Sequence, residues 1–501
     1  MHWSDEIAQR IIRKRPDKEE YVCAAGISPS GSIHIGNFRD IATAYFVCKA
    51  LERAGKKARL LFSWDELDRL RKVPVNVAKV NKDMEKYIGF PYVDVPNPFE
   101  PGNGTYASYF EDEFLESIKD FHIDMDFKYQ AEMYRSGKYT EYILLAMEKR
   151  KEIFDILDSF RTQDAEEGER DRYYPASIYC PECGKDTTTI VKYDDETKIA
   201  EYECACGHKG TFDFKKDTGC KLAWKIDWPM RWRYEGVDFE PGGKDHASPG
   251  GSYETSSVIS RKIFHHEPPM FQGYEFIGIK GSTGKMSGSS GLNLTPETLL
   301  KIYEPEIILW LYSKTDPKKA FDFCFDDGIL RQYFEFDKMY NDYKAGKANE
   351  HNQAVMEFSL IGDREIKTVP MSLLVQLAFI WIVTVVAFYP VCDSIIILNL
   401  SAAIKILLAV LVGVLGILYV ARSGFVNDMA ARTFLPSFDL ESLSYISVII
   451  FNFLGFEVVC TYADNMRDPR RQIPQAIVTG GVVIAAIYLF SAFGIGAAVP
   501  T

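Results

Sequence analysis

Two clusters of cysteines stand about twenty residues apart in this 501-residue chain. Cys180-Pro181-Glu182-Cys183-Gly184 separates two thiols by two residues, and Cys204-Ala205-Cys206-Gly207-His208 adds two more thiols and an imidazole. Thiolates at this spacing close a tetrahedral Zn²⁺ site. The segment between them, about 193–201, reads as a hairpin. A metal there is expected to be structural, because so small a piece has no core of its own. The residues leave the fourth ligand open between Cys206 and His208. A second chemistry is phosphate handling. His34-Ile35-Gly36-Asn37 stands where a helix begins after a Gly/Ser/Pro turn. A helix start offers unpaired N–H groups and the positive end of a dipole. Gly36 would let a flat base approach the backbone, and His34 and Asn37 could donate to phosphate or ribose oxygens. Lys285-Met286-Ser287 lies in a stretch rich in glycine and hydroxyl residues, 281–291. Such a loop with one lysine can close over a triphosphate and neutralise developing charge.

The elements that must position these residues read as α/β. Residues 21–26 form a short buried strand, and a turn over 27–32 follows. A helix is expected from about 33 to 54, ended by Gly55, and a second strand over 58–62. Strand, glycine turn, helix, strand is the unit of a parallel, doubly wound sheet, whose ligands sit beyond the carboxyl ends of the strands. The rhythm breaks over 91–216 and resumes at 217–293, where 274–279 reads as one strand running into the glycine-rich loop. An insertion therefore splits a nucleotide-binding fold whose first half is 1–90. Thr295-Pro296 is a clean helix start, and helical pattern is expected over 294–378.

Charge density divides the chain. Only 13 of the last 131 residues are charged, about 10%, against about 31% of the first 370. Neither one soluble globule nor a simple permease has that composition. The apolar stretches 371–391, 395–420, 442–462 and 473–499 are each long enough to span a bilayer, so four transmembrane helices and a multi-pass, membrane-associated chain are expected. The head is net acidic, which argues against non-specific nucleic-acid binding and against DNA as a partner. Residues 1–20 lack an apolar signal core, and ten dispersed cysteines fit a reducing, cytoplasmic setting for the head.

The two phosphate motifs, each after a strand and about 250 residues apart, have the layout of class I aminoacyl-tRNA synthetases. Within that class the head, about 1–378, closely resembles the class I lysyl-tRNA synthetases. The resemblance is carried by Ala25 through Asn37, by Ser63-Trp64-Asp65-Glu66-Leu67-Asp68-Arg69-Leu70-Arg71-Lys72-Val73-Pro74, by Trp224 through Trp232, and by Gly243-Lys244-Asp245-His246 leading to Gly250-Gly251-Ser252. It implies a split Rossmann-like catalytic domain with a zinc-bearing insertion, and the partners lysine, ATP with Mg²⁺, and tRNA(Lys). Lysine would attack the α-phosphate of ATP, and the acyl group would then pass to the tRNA terminal hydroxyl. By family position, His34, Asn37 and Lys285 are the catalytic residues. Ser30, Gly31, Gly36, Met286 and Ser287 complete the ATP set. Gly26, Ser28, Trp224, His246 and Tyr274 form the lysine pocket. The resemblance favours Cys180, Cys183, Cys204 and His208 as zinc ligands, with Cys206 the rival. A lysine pocket needs an acidic partner for the ammonium and an aromatic wall for the aliphatic stem. Asp65, Asp68 and Asp245 are the acidic candidates. Many relatives carry a second lysine where this chain has Gly288, so Lys285 acts alone or with Lys280. The chain has no histidine between His34 and His122, so a second zinc site of some relatives is expected to be absent.

The tail resembles amino-acid permeases of the amino acid/polyamine/organocation superfamily. Gly455-Phe456-Glu457 and the stretch Asp464 through Ala476 carry that resemblance. Gly455 and Glu457 would lie mid-span in a broken helix, where an intramembrane carboxylate is a functional candidate. Only helices four to seven of that fold are represented, so transport by one chain is not expected. The three arginines of 464–472 would sit across the membrane from the head, against the positive-inside rule if the head is cytoplasmic. Synthetase-like sequence meets permease-like sequence at 378/379 without a linker, and most of the anticodon-binding region is missing. The competing readings are a membrane-anchored lysine sensor and a non-physiological fusion.

Overall fold

The computed structural model describes residues 1–281, 294–362, 366, 380–381, 391–425 and 466–498. The chain divides into two units, Met1–Leu373 and Leu374–Thr501.

In the first unit a parallel sheet is built from β1 (Glu20–Ile27), β2 (Lys57–Trp64), β3 (Asp126–Tyr129), β9 (Phe239–Gly243) and β10 (Met270–Tyr274), in the order β10-β9-β1-β2-β3. β1 lies at the centre, and its residues Tyr21–Ala25 are buried in an unbroken run. That continuous burial suits a strand covered on both faces. Between them in the chain lie β4 (Ala176–Ile178), β5 (Thr188–Tyr193), β6 (Ile199–Cys204), β7 (Lys209–Asp213) and β8 (Cys220–Leu222). β5, β6 and β7 form an antiparallel three-stranded sheet, so the hairpin read between the cysteine clusters is present. β11 (Ile277–Ile279) and β12 (Phe321–Phe323) pair in a small separate ribbon.

Helix α1 (Trp3–Lys14) precedes the sheet, and α2 (Ile35–Arg53) crosses from β1 to β2. α2 carries Ile35, Phe38, Ile41, Ala42, Phe46, Val47 and Leu51 into the main core, where they meet Trp310, Leu309 and Phe358 of the later helices Pro305–Lys314 and Glu350–Ser359. Thr295 caps the helix Pro296–Leu300 with proline at its first turn.

Three expectations are corrected. The insertion does not begin at residue 91, because β3 joins the sheet beside β2. Asp-Phe-Lys-Tyr is a four-residue edge strand, too short and too charged to stand out in sequence. Residues 274–279 are not one strand. The sheet strand ends at Tyr274, and β11 turns away to pair with β12. The region 294–378 is not wholly helical, since β12 lies within it.

In the second unit, the helix Val391–Ser423 contains the span expected at 395–420, and Pro469–Ala498 contains most of 473–499. Among the described residues, one helix is long and apolar enough to cross a membrane, Pro469–Ile495, whose most apolar 18 residues are not buried and have mean hydropathy 2.2. The apolar part of the other is the shorter run Ile406–Arg422. The two helices pack closely: a Cβ on Gly416 would collide with the Gly494 backbone. The spans expected at 442–462 and across most of 371–391 lie outside the described residues, as do Gly455 and Glu457.

The seam between α1, β1 and β9 rests on Asp238. Its carboxylate is fully buried and accepts from Arg15 Nη1 at 2.5 Å, Lys18 Nζ at 2.6 Å and the Val22 N–H at 2.7 Å. Removing one partner of such a buried network strands the others. Asp238→Ala is expected to lower the stability of the first unit by about 3 kcal/mol, read by urea unfolding followed through tryptophan fluorescence. A change below about 1 kcal/mol would refute the assignment.

Candidate active site

Strand order reverses at β1, with β2 and β3 on one side and β9 and β10 on the other. Crevices of doubly wound sheets open at such a switch, beyond the carboxyl ends of the strands. A cavity of about 300 Å³ lies there. Gly26, Ile27 and Ser28 enter it from the end of β1, and Ser63 and Asp65 from the end of β2. Gly242 and Gly243 come from β9, Tyr274 from β10, and Asn37 and Asp40 from α2. Trp224, Trp228 and Arg231 of the helix Trp224–Glu235 close one wall, with His246 beside them. All five residues expected in one pocket, Gly26, Ser28, Trp224, His246 and Tyr274, line this one cavity. Gly26 has a packing reason to be glycine: a Cβ there would lie 3.2 Å from the Ser63 carbonyl oxygen. Two further cavities, of about 600 and 390 Å³, adjoin it at Ser28. Arg69 and Arg71 line both, and Lys72 lines the smaller.

The motif at the start of α2 forms a capping box. His34 Nδ1 accepts from the Gly36 N–H at 3.1 Å, and Asn37 Oδ1 accepts from the His34 N–H at 3.3 Å. An accepting Nδ1 leaves Nε2 as the protonated, donating nitrogen. The geometry also gives Gly36 a second reason for its identity, since a Cβ would meet the His34 ring at 2.9 Å. Ser30 lines the cavity, and its carbonyl accepts from Tyr106 Oη at 2.9 Å. Gly31 lies in the turn between β1 and α2. Lys285, Met286, Ser287 and Gly288 lie outside the described residues. Lys280, the possible helper, pairs with Asp326 at 2.9 Å.

The acids of the site fall into two kinds. Asp65 and Asp68 are already matched by cations. Arg231 Nη1 donates to Asp65 at 2.6 Å, and its Nη2 stands 3.0 Å from Asp227, which also accepts from Tyr134 Oη at 2.5 Å. Asp68 pairs with the buried Lys221 and accepts from Ser28 Oγ at 3.0 Å. Burial alone would push Asp68 up, but Lys221 and Ser28 hold it below the usual carboxylate range. Asp245 is exposed and does not line the three cavities. Two other acids were missed by the sequence reading. Asp40 is buried, accepts from the Gly26 N–H at 3.2 Å and bonds the Tyr274 hydroxyl. Burial, and then the nearby Glu240, push its carboxyl well above the ordinary range. Glu240 accepts from Trp228 Nε1 at 2.9 Å and Trp232 Nε1 at 2.5 Å, and burial pushes it up to about 7. A signal for Asp40 was present: the pair Arg39-Asp40 interrupts an otherwise apolar helix face. Nothing in Phe-Glu-Pro-Gly-Gly marks Glu240.

The wall of the cavity is aromatic. Trp224 stacks on Trp228 with ring centres 5.0 Å apart, and Arg231 lies over the Trp224 ring at 5.2 Å. His246 packs edge-on against Trp228 at 5.7 Å. A pocket with an aromatic wall and two acids that form no ion pair among the described residues suits a small cationic ligand.

Away from this crevice, Cys180, Cys183, Cys204 and Cys206 bring their sulfurs within 4.8 Å of one another. Cys183 and Cys204 are 3.6 Å apart, Cys180 and Cys206 3.8 Å. Zn–S bonds of about 2.3 Å at tetrahedral angles place sulfurs about 3.8 Å apart, so the four thiols fit this metal. His208 is not in the group, which corrects the ligand set that the resemblance favoured. Gly207, at φ +94°, reverses the chain, and the Cys204 N–H bonds the His208 carbonyl at 2.8 Å. The His208 ring lies instead 6.0 Å from Tyr202.

A profile of the family "tRNA synthetases class I (K)" matches residues 1–361, and one of "Amino acid permease" matches 351–501. A lysine–tRNA ligase of Pyrococcus horikoshii is 41% identical over 353 residues, 70% of this chain and 66% of that protein. The ligase of Treponema pallidum is 39% identical over 68% of this chain and 63% of its own length. That of Thermococcus kodakarensis is 40% identical over 77% and 72%. The chain spans just under two thirds of the length of the first two.

The raised acids set a pH dependence. Glu240, at about 7 in the folded state, ordinarily titrates near 4.5. Between these values the folded chain holds the proton and the unfolded chain does not, so raising the pH favours unfolding. Glu66, also at about 7, and Glu111, at about 8, add to the same slope. The melting temperature is expected to fall from pH 5 to pH 8. Glu240→Gln should gain on the wild type across that range, and a constant difference would refute the assignment.

Proposed function

The chain belongs, through residues 1–361, to the class I lysyl-tRNA synthetases, and from that premise we propose that it activates lysine with ATP and passes the lysyl group to tRNA(Lys). The observation that carries this reading is the cavity in which Gly26, Ser28, Trp224, His246 and Tyr274 converge over Asp40 and Glu240. Trp224 and Trp228 take the aliphatic stem of lysine. Asp40 and Glu240 receive its positive charge, because Asp65 and Asp68 are already held by Arg231 and Lys221. Placing an ammonium beside Asp40 and Glu240 draws both acids toward the ionised form.

ATP, as its magnesium complex, lies at the start of α2. There Ser30, Gly31, His34, Gly36 and Asn37 meet its phosphates and base, with Lys285, Met286 and Ser287 assigned by family position. The attacking group is the lysine carboxylate, and pyrophosphate leaves. No covalent enzyme intermediate is needed, so the protein works by positioning and by stabilising charge. Neutral His34, its Nδ1 held by the cap, donates from Nε2 to a phosphate oxygen. Arg69, Arg71 and Lys72 line the adjoining cavities and suit the phosphates of an RNA end.

The four thiols hold a structural zinc that joins the turn after Cys180 to the β6–β7 hairpin. The metal replaces the core that this piece lacks. For the second unit we propose insertion in a bilayer over 371–499 in four helices, with the head on the cytoplasmic side. The exposed apolar faces of Ile406–Arg422 and Pro469–Ile495 support that placement. The overlap of the two family matches at 351–361 supports an abrupt join of a ligase head to a permease-derived piece.

The decisive measurement is pyrophosphate–ATP exchange by the full chain. Exchange is expected only when lysine is present, and its absence would refute the ligase reading. Lys285→Ala is expected to lower the rate at least about tenfold, a barrier change of about 1.4 kcal/mol. An unchanged rate would remove Lys285 from the machinery. Metal analysis of the purified chain should find one zinc, lost in Cys206→Ala and kept in His208→Ala. The opposite pattern would restore His208 as the ligand.

A further inference from the structure

Helix α2 places Arg39 two residues beyond Asn37 and directly before Asp40. Its side chain does not line the cavity and is 2% exposed. Each hydrogen bond of its guanidinium goes to a main-chain carbonyl. Nη1 donates to Glu275 at 2.8 Å, and Nη2 to Asp316 at 3.2 Å, Pro317 at 3.1 Å and Lys319 at 2.8 Å. The guanidinium carbon lies 5.5 Å from the centre of the Phe321 ring. A buried cation without a hydrogen-bonded carboxylate is expensive to keep. Burial accordingly lowers its affinity for the proton.

The carbonyls it collects explain its use. Glu275 is the first residue of the break between β10 and β11, and 316–319 is the loop before β12. The Glu275 N–H bonds the Pro317 carbonyl at 2.8 Å, so the two irregular stretches are tied to each other as well as to α2. A planar fork can reach several carbonyls at once, which a lysine ammonium on a flexible stem does not reproduce. Residue 274, one position earlier, is the tyrosine whose hydroxyl bonds Asp40. Successive residues of one helix turn therefore hold both ends of the same dipeptide, Asp40 its tyrosine hydroxyl and Arg39 its following carbonyl.

We propose that Arg39 is a positioning residue for amino-acid recognition. By fixing the Glu275 carbonyl it sets the Tyr274 ring against Asp40 in the cavity. This rests on the lysine-activating reading of that cavity. Arg39 touches no substrate and acts through Tyr274. A purely structural role would change how much protein folds and leave the Michaelis constants of the folded fraction alone.

The test is steady-state exchange by the full chain carrying Arg39→Lys, beside the wild type, Tyr274→Phe and the double variant. Arg39→Lys is expected to raise KM for lysine at least about fivefold and to leave KM for ATP within about twofold. In the Tyr274→Phe background the same change should add little, because the two act as one unit. An unchanged KM for lysine, or effects that multiply independently, would overturn the proposal while the ligase reading stands. Absence of exchange in the wild type would instead overturn the ligase reading. Should Arg39→Lys not fold, amide exchange in the wild type decides. Lysine binding should slow the amides of 274–275 and of the 316–319 loop together, and slowing confined to 274–275 would overturn the proposal.

Discussion

Arg231 is the residue on which the arrangement of the site depends. It is 8% exposed and lies between Asp65 at the end of β2 and Asp227 one turn earlier on its own helix. Asp227 in turn receives the Tyr134 hydroxyl from the helix Gln130–Arg135, just past β3. One cation thus joins the two halves of the sheet that the insertion separates in sequence. Three charges buried together are costly unless each is matched, and removing any one would leave the others uncompensated. The face of the same guanidinium supports Trp224, so the aromatic wall of the cavity is set by the ion network behind it.

This network divides the work among the acids. Asp65 and Asp68 are acidic candidates in the sequence because a lysine pocket needs a partner for the ammonium and they lie in a block that carries the family resemblance. The structure spends them on Arg231 and Lys221. Asp40 and Glu240 are held by neutral donors, the Gly26 N–H and two indole N–H groups. Burial keeps the proton affinity of both high. Among the described residues, the cations Arg231 and Lys221, at this cavity and the one adjoining it, are paired with Asp65, Asp227 and Asp68.

The two units differ in what their sequence reveals. The first was legible where a motif combines several residues of fixed type: the His34–Asn37 helix start, the strand–turn–helix around it, Thr295-Pro296 and the cysteine pairs. β3 and β12 were not, because short strands at a sheet edge or in a separate ribbon carry no period long enough to see. The break at Glu275 was hidden for another reason. An apolar run reads as one strand unless the partner that interrupts it, here Arg39 from 236 residues earlier, is known. In the second unit, long apolar runs announced helices, and one of the four runs and most of another fall within the described helices Val391–Ser423 and Pro469–Ala498.

The sequence by itself carried the family resemblance, the α/β class, five residues that converge on one cavity and the cysteine-rich knuckle. The knuckle and the helix start follow from residue types at short, fixed spacings, and the five cavity residues from the family resemblance. Only the tertiary structure decided which acids are paired with a cation, that Cys206 and not His208 joins the thiols, and that Arg39 bonds the carbonyl just past β10. Each of these depends on which side chain fills the space beside a buried charge or at a turn, and residues far apart in the chain supply that neighbour.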